Sequence, residues 1–162
     1  NRGSKLEFAI SEIGSFATVV AVSKFLETDP VGGPEQPQYL NAVAIIESEL
    51  EPIKFLEKLN EIENAAGRTR EVRWGARTLD LDIITAEDVV QDDPILTLPH
   101  PRAHERGFVL QPWLEIDADA TIPGMGRVDE IFAALSPDNR LIALLKNAAD
   151  KAKPVAVFAA AN

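Results

Sequence analysis

The chain has 162 residues, no cysteine and a formal net charge of −10. Its length and its 46% hydrophobic share fit a single globular domain, with a core that needs no disulfide or thiolate metal staple. The acidic balance excludes general binding to nucleic acid or to an anionic membrane surface. No apolar run approaches the roughly 18 residues of a membrane span, and no signal-peptide core opens the chain, so it reads as a cytoplasmic protein.

The first element reads as a helix. Ser4 and Glu7 form a capping box, Leu6, Ile10 and Ile13 follow as an apolar stripe, and Gly14 is the stop. Residues 17–26 (ATVVAVSKFL) are rich in β-branched side chains and predict a strand. Residues 28–37 hold three prolines and two glycines and predict a loop, of a length that is as often functional as merely connecting. Residues 39–48 predict the next strand, whose apolar run is interrupted by Asn41. An amide turned inward on a strand needs partners, either backbone groups or a ligand. Pro52 suits a helix start, and Ile53, Leu56, Leu59 and Ile62 carry a helical stripe to Gly67.

The next stretch is the densest in chemistry. Arg68, Arg70, Arg73 and Arg77 fall within ten residues, and Arg102 and Arg106 follow. On an acidic chain this is either a solvated charged loop or a patch for a compact anion, since guanidinium groups match phosphate geometry. Residues 73–84 read RWGARTLDLDII. Asp80 and Asp82 alternate with Leu79, Leu81 and Ile83, so a strand here turns both acids to one face. Same-face positions lie roughly 6.5–7 Å apart, and two such side chains can converge on a cation pair about 3.5–4 Å apart. Phosphate chemistry on a metal pair is the reading from residues alone.

Glu87 and Asp88 predict a turn into a short strand at 89–90. His100 stands between two prolines, and Pro101 interrupts any helix that would make His100 and His104 a zinc pair, so no zinc site is expected. Residues 103–114 predict a helix interrupted by Pro112. Residues 117–127 predict a loop with Gly124 and Gly126 as turn formers. Residues 128–135 and 141–152 predict two further helices, and residues 155–158 a terminal strand. Interleaved strands and helices point to a sheet with helices packed on it.

The chain resembles the 6-hydroxymethyl-7,8-dihydropterin pyrophosphokinase family (2-amino-4-hydroxy-6-hydroxymethyldihydropteridine diphosphokinase). The resemblance is carried by GPEQPQYLNAV at Gly33 to Val43, GRTR at Gly67 to Arg70, RWGARTLDLDI, and LPHPRAHERGFVLQP. It implies an α+β fold, a ferredoxin-like antiparallel sheet with helices packed on one face and the active-site cleft on the other. It also implies a folate-biosynthesis enzyme that transfers pyrophosphate from ATP to the hydroxymethyl group of 6-hydroxymethyl-7,8-dihydropterin, giving AMP and the pterin diphosphate. Two Mg²⁺ ions and ATP as co-substrate come with that activity. The expected protein is a monomer, with no nucleic-acid or membrane partner; a fused or neighbouring folate-pathway domain stays open. A non-catalytic nucleotide- or pterin-binding relative is the competing reading.

By resemblance Asp80 and Asp82 hold the Mg²⁺ ions, and Arg70 and Arg77 contact phosphates as the family's loop closes. Asn60, Glu63, Trp74, Arg77, Ile83, Thr97, His100 and Arg106 belong to the ATP site, with Asn60 standing where the family often has glutamine. Thr28, Val31, Tyr39, Asn41, Trp74 and Phe108 belong to the pterin site. The family usually opens with a strand ending in G-S-N-x-G, of which Asn1, Arg2 and Gly3 match the last three positions. Residues 1–153 are then a pyrophosphokinase domain without its usual opening strand. Residues 154–162, with VAVFAAAN, are either a replacement for that strand, in cis or by exchange between chains, or an unrelated tail.

Overall fold

Leu6, Ala9 and Ile13 recur at helical spacing and are buried, and they line helix α1, Arg2–Gly14. The computed structural model describes residues 2–28, 39–67, 79–135 and 155–161. Helix α1 begins upstream of Ser4, so Ser4 lies inside the first turn and not at the cap. Burial of one face, rather than a capping box, sets this helix, as tertiary packing commonly does.

The strand expected over 17–26 is two pieces, β1 (Thr18–Val22) and β2 (Leu26–Thr28), both antiparallel to β3 (Tyr39–Glu47). Val22 pairs with Ala44 and Leu26 with Asn41, so Ser23, Lys24 and Phe25 face only Ala42 and Val43. The extra residue is absorbed as a bulge. Buried Ser23 makes it tolerable: its N–H donates to Val43 O at 2.9 Å, and its hydroxyl accepts from Val43 N–H at 3.0 Å.

Helix α2 (Pro52–Gly67) buries Phe55, Leu59, Ile62 and Ala66. Strand β4 (Asp80–Ala86) follows. Strand β9 (Val155–Ala161) lies between β3 and β4 and pairs antiparallel with both, giving the order β1-β3-β9-β4 with β2 also on β3. Among the described residues β4 therefore ends the sheet.

The strand expected at 89–90 is displaced. Val89 N–H donates to Ala86 O to close the turn, and the ladder forms between β5 (Gln91–Asp92) and β6 (Thr97–Leu98). The helix expected over 103–114 is also divided. A 3₁₀ turn spans Ala103–Glu105, Arg106 is extended, and α3 runs Gly107–Ile116 with Pro112 buried inside it. The expected loop at 117–127 contains a small hairpin, β7 (Thr121–Ile122) with β8 (Gly126–Arg127). Its Gly124 and Gly126 take φ of +78° and +104°, which glycine adopts without a Cβ penalty. Helix α4 is Val128–Leu135. The helix expected over 141–152 lies outside the described residues.

Two apolar cores flank the sheet. Ala42, Ala44, Ile46, Leu81 and Ile83 pack with Leu6, Ala9, Phe55 and Leu59 of α1 and α2. Val43 and Ile84 pack with Val109, Leu110, Trp113 and Phe132 of α3 and α4. Alternation along β3 puts these sets on opposite faces. The expectation of helices on one face is thus corrected: α3 and α4 cover part of the second face, because α3 is apolar enough to need a sheet partner of its own. Among the described residues no helix is long and apolar enough to cross a membrane.

Candidate active site

Strand β4 turns Leu81 and Ile83 into the α1–α2 core and leaves Asp80 and Asp82 partly exposed on the other face. The Asp82 side chain keeps 39% of its exposure. A single run of alternating residues thus anchors the strand and presents two hard oxygen donors.

His100 is brought to this pair by its backbone: its N–H donates to Ile84 O at 2.8 Å. Its Nδ1 accepts from Arg102 N–H at 3.2 Å, which in the neutral ring leaves the proton on Nε2. Nε2 lies 4.0 Å from Asp82 Oδ2, beyond direct hydrogen-bond range. Burial holds the imidazole below its ordinary pKa, the Asp82 carboxylate opposes that shift, and Arg106 and Arg102 reinforce it. A ring held below 6.5 is neutral at pH 7, so His100 offers an uncharged N–H beside the acids.

Sheet register places the other candidates. Asn41, Ala160 and Asp80 form one cross-strand row, and Val43, Phe158 and Asp82 another. With one strand between them, Asn41 and Asp80 stand about 10 Å apart along the row. Asn41 is buried, and its Nδ2 donates to Leu26 O at 3.5 Å. Thr28 pairs with Tyr39, so β2 and β3 bring Thr28, Tyr39 and Asn41 to one end of the sheet. Phe108, in the first turn of α3, is partly buried on the α3–α4 core, and the Arg106 guanidinium stands 5.8 Å from its ring centroid. That distance is within cation–π range.

The remaining candidates are less concentrated. Thr97 donates from its hydroxyl to Asp93 O at 3.2 Å, closing the β5–β6 turn. Ile83 is buried toward α2, so only its backbone is available to a ligand. Asn60 is exposed on α2. Glu63, one turn on, accepts the Leu81 N–H at 2.7 Å through Oε2. Arg70, Trp74, Arg77 and Val31 lie outside the described residues.

Sequence reasoning passed over three groups. Ser23 at the bulge and the Glu63–Leu81 bond depend on tertiary contacts that no local pattern announces. Arg127 ties its hairpin to α4 through the buried Asp129 at 3.1 Å and to the turn ahead of the hairpin through Asp119 at 3.3 Å, and these carboxylates raise its pKa. The two closely spaced glycines, Gly124 and Gly126, were the readable hint of that hairpin.

Among the described residues no group of three or more His, Cys, Asp and Glu is arranged to hold an ion. Two partly exposed aspartates on one face fit Mg²⁺ all the same, because that ion is commonly held by one or two carboxylates, with water and substrate phosphates completing its shell.

Fold and site together give an α+β domain in which β4, the last strand of the sheet among the described residues, carries an acidic pair beside a histidine, a class suited to metal-assisted chemistry on phosphates. The chain belongs to the 7,8-dihydro-6-hydroxymethylpterin-pyrophosphokinase family, whose model matches residues 1–118. It is similar to the 2-amino-4-hydroxy-6-hydroxymethyldihydropteridine pyrophosphokinase of Haemophilus influenzae, 41% identical over 136 residues that cover 84% of each chain. The Mycobacterium leprae protein of the same name is 41% identical over 155 residues, covering 86% of this chain and 81% of its own. The Bacillus subtilis one is 50% identical over 99 residues, covering 61% and 59%. Every candidate site residue falls inside the family match, and β9 falls outside it.

Proposed function

We propose that this chain is an ATP-dependent diphosphotransferase that moves pyrophosphate from ATP to the hydroxymethyl group of 6-hydroxymethyl-7,8-dihydropterin in folate biosynthesis. The observation that carries this reading is the Asp80–Asp82 pair on the open face of β4, beside His100 and inside the family match. The hydroxymethyl oxygen attacks the β-phosphorus in line and gives up its proton, the bond from that phosphorus to the oxygen bridging it to the α-phosphorus breaks, and AMP leaves. Positioning and electrostatics supply the rate enhancement, with no covalent intermediate on the protein.

Two Mg²⁺ ions, held by Asp80 and Asp82 when bound, would neutralise charge across the triphosphate. The chain's own residues do the rest. His100 donates its Nε2 proton to a phosphate oxygen, and Arg106, steadied on the Phe108 ring, pairs with phosphate. Arg70 and Arg77 complete the anion clamp. Asn60, Ile83 and Thr97 border the nucleotide, Glu63 serves that site through its bond to Leu81, and Trp74 lies between the two substrates. Tyr39 and Phe108 wall the pterin, Asn41 bonds its amide-like edge, and Thr28 and Val31 line the pocket. A span of about 10 Å from Asn41 to Asp80 suits a flat bicyclic ring whose hydroxymethyl arm reaches toward the two aspartates.

We further propose that β9 fills the slot of the family's opening strand, completing a ferredoxin-like sheet within residues 1–162. Its antiparallel pairing with both β3 and β4 supports this reading. A cytoplasmic monomer, with or without a neighbouring folate-pathway domain, is the form proposed for the active protein.

Product analysis tests the reaction. Phosphorus NMR of protein, Mg²⁺, ATP and the hydroxymethyl-dihydropterin should give AMP and a pterin diphosphate ester in equal amounts. ADP with a pterin monophosphate, or no pterin-dependent product, would reject it.

A further inference from the structure

The outer edge of β4 carries the signal. In an antiparallel pair, alternate residues turn their N–H groups toward the partner strand and the residues between turn theirs away. On β4 the inner edge pairs with β9. The Leu81 N–H instead meets a carboxylate: Glu63 Oε2, from α2, lies 2.7 Å away. An edge donor without a strand partner would otherwise need water or another chain. Leu81 is the residue between Asp80 and Asp82, and it is buried, so this bond grips the peptide from which both acids project. Three residues on, Ile84 O accepts the His100 N–H at 2.8 Å. The strand is thus held at its outer edge on both sides of Asp82, once by a side chain and once by a backbone.

Resting on the metal assignment made above, we propose that Glu63 is a positioning residue for Asp80 and Asp82. Its carboxylate fixes the Leu81 peptide, and through it the separation and direction of the two aspartates, before any metal arrives. A hydrogen bond with an ionised acceptor is short and about twice as strong as a neutral one. Partners one step behind the ligands commonly matter by about 10–100-fold in metal affinity. Oε2 acts through the strand, so Glu63 contributes to the clamp without contacting the nucleotide. This refines the family-based placement of Glu63 among the ATP-site residues.

The test uses the whole chain as wild type, Glu63→Ala, Glu63→Asp and Glu63→Gln. Exchange of the Leu81 amide, read by NMR without metal, should quicken roughly tenfold in Glu63→Ala and Glu63→Asp, since Asp is one methylene short of the bond. In Glu63→Gln, whose amide oxygen still accepts, exchange should stay within about threefold of wild type. Calorimetric binding of a non-hydrolysable ATP analogue in Mg²⁺ should weaken by about 10–100-fold in Glu63→Ala and Glu63→Asp, with Glu63→Gln close to wild type. Binding of the same analogue in EDTA should not change in any variant. Wild-type Mg²⁺–nucleotide affinity in Glu63→Ala or Glu63→Asp would overturn the proposal. Loss of metal-free binding in all three variants would also overturn it, by making Glu63 a direct nucleotide contact. Wild-type protein that binds no Mg²⁺–nucleotide would overturn the functional reading itself, an outcome read without any variant.

Discussion

The two faces of β4 divide the work of the molecule. On one, Leu81 and Ile83 are 3% and 2% exposed in the α1–α2 core. On the other, Asp82 keeps 39% of its side-chain exposure, in front of a helical layer that covers the sheet only in part. The faces share a backbone, so the precision of the open one depends on the packing of the closed one. The sequence RTLDLDII encodes both at once, because a period of two sends alternate residues to different environments.

The sharpest way to break this contrast is to cut each face separately. Leu81→Ala should cost about 2–5 kcal/mol of stability, seen as a lower denaturant midpoint, because it opens a cavity in a packed core. Asp82→Ala should leave the midpoint within about 0.5 kcal/mol of wild type. It should nevertheless lower kcat by about 10²–10³-fold, as for other groups that stabilise developing charge. A large stability loss in Asp82→Ala, or full activity, would erase the distinction. Ser23→Ala should cost about 1–3 kcal/mol, since the buried Val43 N–H loses its acceptor at the bulge; thermal denaturation checks it. Smallest is Phe108→Leu. Removing the ring from beneath Arg106 should weaken nucleotide binding about two- to fivefold by calorimetry, the size of an exposed cation–π contact. An effect on pterin alone would show that Arg106 does not lean on that ring.

Much of this architecture was readable from short-range pattern. Helix α2 follows from its 3.6-residue stripe, and the aspartate pair from strict alternation. What could not be read depended on distant partners. Ser23 ends β1 because its hydroxyl replaces a ladder carbonyl, and a β-branched run gives no sign of that. Arg106 divides the expected helix over 103–114 by taking extended φ and ψ, although the surrounding side chains favour helix. The side of the sheet that receives α3 is a matter of chain routing, since Val109, Leu110, Trp113 and Leu114 are buried wherever they pack. Of the site, Asp80, Asp82 and His100 were legible and the structure brings them together. Glu63 was named for the nucleotide, but its bond to Leu81 joins two elements separated by 18 positions in sequence and leaves no local trace.

On the function proposed above, metal and phosphate meet on the open face of β4. Paramagnetic Mn²⁺, added with a non-hydrolysable ATP analogue to isotope-labelled protein, tests it most directly. Amide signals of Asp80 to Asp82 and His100 should broaden first, while those of Leu6, Ala9 and Ile13 on α1, behind the opposite face, should stay sharp. Broadening centred on α1 or on the β7–β8 hairpin, with the Asp80–Asp82 signals unaffected, would contradict it.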